Sequence, residues 1–180
     1  MTTGAPPLPT IRRLLAATFL AGSVGTGAEL LLMEHTEGVW QNAPLALLGL
    51  GCLTGAALAI TTRRAVRQTF RVLMLLFASS GIAGAVLHYD GNVEFERELN
   101  PEASGFTLFR EAMKGATPAL APGTMILLGA VGWAYYRTTV ALLDSTADDA
   151  VAIASKNDTN RRGSGAAYDR KFSTQRKPIG

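Results

Sequence analysis

Cysteine is almost missing from this chain: Cys52 is the only one in 180 residues, which excludes an internal disulfide and any paired-cysteine redox motif. Charge is scarce as well, at 17% of residues against about a quarter in soluble domains. Histidine occurs only as His35 and His88, so no His-x-x-x-His or Glu-x-x-His metal motif exists. The chain also lacks a phosphate-binding loop, a nucleophile elbow and a zinc-protease motif, and its glycines are scattered at helix-packing intervals. These absences argue against an enzyme. The lack of a clear inverted repeat with paired broken helices argues against a carrier, and the lack of a ring-forming charge within an apolar block argues against a channel.

What the chain does have is four apolar blocks. A hydrocarbon core roughly 30 Å thick takes about 20 residues of helix to cross, and each block is about that long. The expected class is therefore all-α and integral to a membrane: four transmembrane helices over about 12–34, 44–62, 70–88 and 118–137, forming a domain from 1 to 137. A tail over 138–180 is expected to be helical at first and disordered from Lys156, where polar, glycine and basic residues dominate.

Met1 to Thr10, with Pro6, Pro7 and Pro9, is expected to be a flexible arm. Arg12 and Arg13 precede Leu14 to Met33, which has two readings. A basic flank and the small residues Gly25 to Ala28 suit a cleaved signal peptide, whereas Leu30-Leu31-Leu32-Met33 continues the apolar run and suits a retained helix. At about 100° per residue, Thr18, Gly22, Gly25 and Glu29 share one stripe, predicted to face other helices. Trp40 is expected to anchor at the interface and Pro44 to occupy the first position of the second helix. Gly51 and Gly55 form a small-xxx-small pattern, read as packing within the chain or as a dimerisation surface.

In the third block Phe77, Gly81, Gly84 and His88 fall on one stripe, which turns His88 inward at the helix end. Asp90-Gly91-Asn92 then reads as a turn before a short acidic segment, Val93 to Leu99. Ser104 to Lys114 has Phe106, Phe109 and Met113 at helical spacing, as expected of a short amphipathic helix lying on the bilayer or covering the bundle mouth. Thr117-Pro118 reads as the start of the fourth helix, with Pro122-Gly123 as a kink or the true start. Trp133, Tyr135 and Tyr136 read as an aromatic belt at its exit.

Basic residues sort the two sides. With the N-terminus inside, the cytoplasmic side receives Arg12 and Arg13, then Arg63, Arg64, Arg67 and Arg71, then every basic residue from Arg137 onward. Only Arg97, Arg110 and Lys114 fall outside. The expected location is a bacterial inner (cytoplasmic) membrane with both termini cytoplasmic. The basic tail suits anionic headgroups; no aromatic or groove-reading motif accompanies it, so nucleic acid is not an expected partner.

The outer side collects both histidines and most of the acids. His35 and His88 end the first and third helices, and with Glu34, Asp90 and Glu94 they offer two nitrogens plus carboxylate oxygens. Such a set suits a divalent metal (Zn, Cu, Mn or Fe), and two histidines suit one haem. The same residues are also common where helices meet headgroups, without any ligand. Two functions follow as expectations: a small membrane accessory protein with a metal or cofactor site on its outer face, or a structural subunit whose acidic loop docks a larger respiratory, photosynthetic or transport complex. The expected partners are the lipid bilayer and either other membrane subunits or a second copy.

Overall fold

The computed structural model describes residues 7–34, 38–115 and 122–173, with side chains through Lys156. Among these residues the protein is all-helical, with five helices and no strand: α1 (Leu8–Leu32), α2 (Val39–Ile60), α3 (Arg64–Leu99), α4 (Gly105–Lys114) and α5 (Gly123–Ser173). Four of them, α1, α2, α3 and the first part of α5, are long and apolar enough to cross a membrane. The chain divides into two compact units, residues 1–138 and 139–180.

The core of the first unit is built by aromatic rings set into glycine gaps. Phe19 of α1, Phe70 and Phe77 of α3 and Tyr135 of α5 are all fully buried. Phe19 meets Phe70 edge-on at 5.3 Å between ring centres and Phe77 at 5.8 Å, and Phe70 meets Tyr135 edge-on at 5.7 Å. The space for these rings comes from residues without side chains. A Cβ on Gly51 would lie 2.7 Å from Phe77, one on Gly55 would lie 3.1 Å from Phe19, and one on Gly132 would meet both Phe19 and Met74. The Gly51/Gly55 pattern is thus occupied by packing within the chain. Where the surroundings are as apolar as the side chains, such close packing supplies most of the attraction between helices.

The same logic brings α5 against α3. A Cβ on Gly81 would meet the Pro122 carbonyl at 2.8 Å and Ile126 N at 2.9 Å, and one on Gly129 would meet the Met74 carbonyl at 2.9 Å. The Phe77–Gly81–Gly84 stripe therefore faces inward as its spacing predicts.

Several expectations need correction. Helix α1 begins at Leu8, inside the expected arm, because Pro9 falls in the first turn where a helix needs no N–H. Its inward face is led by Phe19 and Ser23; Gly22 lies against Leu128 of α5, but Thr18, Gly25 and Glu29 are exposed. The bulky ring, not the small-residue stripe, fills the gap left by the partner glycines. Helix α2 starts at Val39, so Pro44 lies within it, and Trp40 is exposed in its first turn. Residues 116–121, including Thr117 and Pro118, lie outside the described residues, and α5 starts at Gly123, the later of the two expected positions.

The largest difference is in α3, a single helix of 36 residues that continues through Asp90-Gly91-Asn92 to Leu99. Turn propensity is a local preference, and here a tertiary contact overrides it: the Asn92 side chain is buried and bonded elsewhere, as described below. Helix α5 likewise continues to Ser173, past Lys156 where disorder is expected. In the second unit its residues from 139 to 156 expose Val151 and Ile153; Ser145 and Thr146 return their hydroxyls to the Leu142 and Leu143 carbonyls.

Candidate functional site: the C-terminal end of α3

The first apolar stretch of α3 ends at Leu87, and the helix then carries His88, Tyr89, Asp90, Asn92, Glu94, Glu96, Arg97 and Glu98. The missing turn changes the geometry of the candidate ligands. On a continuous helix Asp90 is rotated by about 200° and Glu94 by about 240° from His88, so the carboxylates share one face and the imidazole another. Asp90 and Glu94 line a surface groove with Val93, Arg97 and Glu98, and both are exposed. His88 is half-buried and engaged within the protein.

Glu34 is exposed at the end of α1, in a left-handed backbone conformation with φ 54°. His35 lies outside the described residues. Among the described residues no cluster of three or more histidine, cysteine or acidic side chains has the spacing of a metal site. Of the five candidate ligands, Asp90 and Glu94 are brought together, and His88 is turned away from them.

The polar residue that the fold does use here is Asn92. Its side chain is 3% exposed, and Nδ2 donates to the Ala112 carbonyl of α4 at 2.9 Å. A buried amide left without a partner would cost about 1–3 kcal/mol, so this bond fixes where α4 docks. Gly115, just past α4, completes the joint, since a Cβ there would stand 2.5 Å from Asn92 Cγ. Leu108 and Ala112 are the buried residues of α4. On its opposite side Glu111 accepts from Arg110 Nε at 2.9 Å and Nη2 at 2.7 Å, with Lys114 Nζ at 3.4 Å. The Arg110 hydrogen bond is the main reason the Glu111 carboxyl lies below the usual carboxylate range.

At the opposite end of the bundle Arg12 has a role that charge counting misses. Its Nη2 donates to the Leu58 carbonyl at 3.0 Å and the Ala59 carbonyl at 3.3 Å, in the last turn of α2. A cation there meets the partly negative helix end and satisfies carbonyls that have no helical partner. The guanidinium also lies 5.7 Å from the centre of the Tyr135 ring, and the Tyr135 hydroxyl donates to the Gly55 carbonyl at 3.3 Å. Tyr135 is thus a core residue and not part of an aromatic belt; Trp133 and Tyr136 are half-buried against the core, with rings 5.8 Å apart. The clue in the sequence was weak: an arginine before an apolar block reads first as a topological charge.

No family model, curated protein or solved structure matches this chain.

Proposed function

We propose that this is a non-enzymatic accessory protein of a cytoplasmic membrane, a four-helix bundle that carries a rigid helical platform on its outer face for a larger membrane complex. The observation that carries this reading is the α3–α4 joint. Where a turn is expected at Asp90-Gly91-Asn92, α3 continues unbroken and α4 is locked to it through the buried Asn92 amide. A fixed surface of that kind suits docking better than a mobile connection, because less conformational freedom is lost on association. Both termini lie on the cytoplasmic side in this reading, with the basic residues of the α2–α3 turn and the tail supporting that orientation.

A second reading keeps a metal or haem at His88 together with His35, favoured by the half-buried position of His88 at the outer end of a packed helix. One preparation separates the two. Detergent-purified protein is analysed for metal content and by visible spectroscopy, and a photo-crosslinker at Glu94 reports contacts in the native membrane. Metal-free, colourless protein crosslinked through Glu94 to one defined membrane subunit supports the platform. A stoichiometric metal or a Soret band, lost in both His35→Ala and His88→Ala, supports the ligand site instead.

A further inference from the structure

The first half of α3 joins charge to an apolar surface on one face. At about 100° per residue, Arg64, Arg67 and Arg71 fall within about 60° of one another, and Leu75, Ala78 and Ile82 continue the same stripe. The stripe runs beside the buried face formed by Phe70, Leu73, Met74 and Phe77. It stays open: Arg64 and Arg71 are exposed, Arg67 and Ala78 are half-buried, and Leu75 and Ile82 are 53% and 58% exposed.

Among the described residues no carboxylate pairs with these guanidiniums, since both ion pairs belong to Glu111 on α4. The sequence supplies none nearby: no acidic residue precedes Glu29, and none lies between Glu37 and Asp90 or between Glu111 and Asp144. Lysine would serve membrane sidedness as well as arginine, yet no lysine precedes Lys114. A guanidinium differs in offering parallel N–H donors to a phosphate. The apolar part of the stripe has the length that a lipid needs. Ile82 lies about 16 Å along the helix from Arg71, close to the depth of one leaflet in a hydrocarbon core roughly 30 Å thick.

We propose that this face of α3 is a binding site for an anionic phospholipid, whose phosphate is held by Arg64, Arg67 and Arg71 and whose acyl chain lies along Leu75 and Ile82. Side chains on a helix lean toward its N-terminus, so the charged ends reach headgroup level while their apolar stems stay against the lipid. The three charges thereby gain a counter-charge from the membrane itself. This inference rests on the bundle spanning the membrane, and the test separates the two.

Full-length protein is reconstituted in phosphatidylcholine bilayers, and electron spin resonance of chain-labelled phosphatidylglycerol and phosphatidylcholine measures how strongly each is held at the protein surface. The site predicts that phosphatidylglycerol associates several-fold more strongly. Arg64→Lys, Arg67→Lys and Arg71→Lys together keep the charge that sets topology and should lower the preference. The corresponding triple glutamine variant should abolish it, and Arg13→Gln, exposed on α1, should leave it intact. If the glutamine variant fails to fold, the lysine variant gives the reading. Full preference in the lysine variant overturns the site, as does equal loss in Arg13→Gln, because diffuse charge then suffices. Displacement by soluble glycerophosphoglycerol also overturns it, since the headgroup alone is then the ligand. Equal association of the two lipids overturns the site while immobilised lipid still reports a spanning bundle. Absence of any immobilised lipid overturns the bundle reading itself.

Discussion

The Asn92 amide donates to the Ala112 carbonyl at 2.9 Å, and through that bond a residue suited to ending a helix instead fastens one helix to the next. Asn92→Ala removes this donor and leaves the Ala112 carbonyl with only the bond from the Gly115 N–H at 3.3 Å. The expected cost to the α3–α4 joint is that of one net hydrogen bond, about 0.5–1.5 kcal/mol. Amide exchange across α4 should quicken while protection in the middle of α2 and α3 stays unchanged.

The aromatic core predicts a different pattern. Phe19→Ala opens a cavity between Gly51, Gly55 and Gly132. Within a bilayer the transfer part of the usual penalty largely disappears, because lipid is as apolar as the core, and the cavity part remains, on the order of 2 kcal/mol. Gly132→Leu should be worse than Phe19→Ala, since even a Cβ there meets Phe19 and Met74. Unfolding of the purified protein in mixed micelles by a denaturing detergent would measure both.

Arg12→Ala should destabilise the bundle, whereas Arg13→Ala, exposed on the same helix, should have little effect. If both acted only as topological charges, the two substitutions would be equivalent. The same contacts bear on the first apolar block. With Phe19 in the core and Arg12 on α2, α1 is a working part of the bundle, and N-terminal sequencing of protein purified from membranes should find it retained.

Glu111 gives a pH prediction. Its carboxyl in the folded protein titrates below the ordinary carboxylate range, chiefly through the Arg110 hydrogen bond. A depressed carboxyl contributes fully above its unfolded pKa and loses that contribution as pH falls through the lower folded value. The exposed pair adds little to overall stability. Its signature is the titration itself: a carboxyl carbon shift whose midpoint lies below that of an ordinary glutamate and moves upward in Arg110→Ala.

The four apolar helices were legible in the sequence because length and composition alone decide them. The short helix α4 was legible too, through the spacing of Phe106, Phe109 and Met113. The unbroken course of α3 was not. Asp90-Gly91-Asn92 carries a local turn signal, and only the distant Ala112 carbonyl explains why it goes unused. Tyr135 was misjudged for a related reason, since its type fits a membrane boundary while its ring lies in the core, and the contacts of Arg12 across three helices were not visible in the sequence. The candidate ligand set was read from histidines and acids gathered on one side of the bundle, which does not say which way each side chain turns. With the helix continuous, Asp90 and Glu94 keep company with Glu98 and Arg97, and His88 does not.

The central claim is a membrane-spanning bundle with its platform outside. Membrane-impermeant maleimide applied to intact spheroplasts tests it, using Glu98→Cys and Lys156→Cys variants in the Cys52→Ala background. The account predicts that position 98 reacts in intact spheroplasts and position 156 only after permeabilisation. Reaction at 156 with protection at 98 would reverse the orientation, and equal reaction at both before permeabilisation would contradict the spanning bundle.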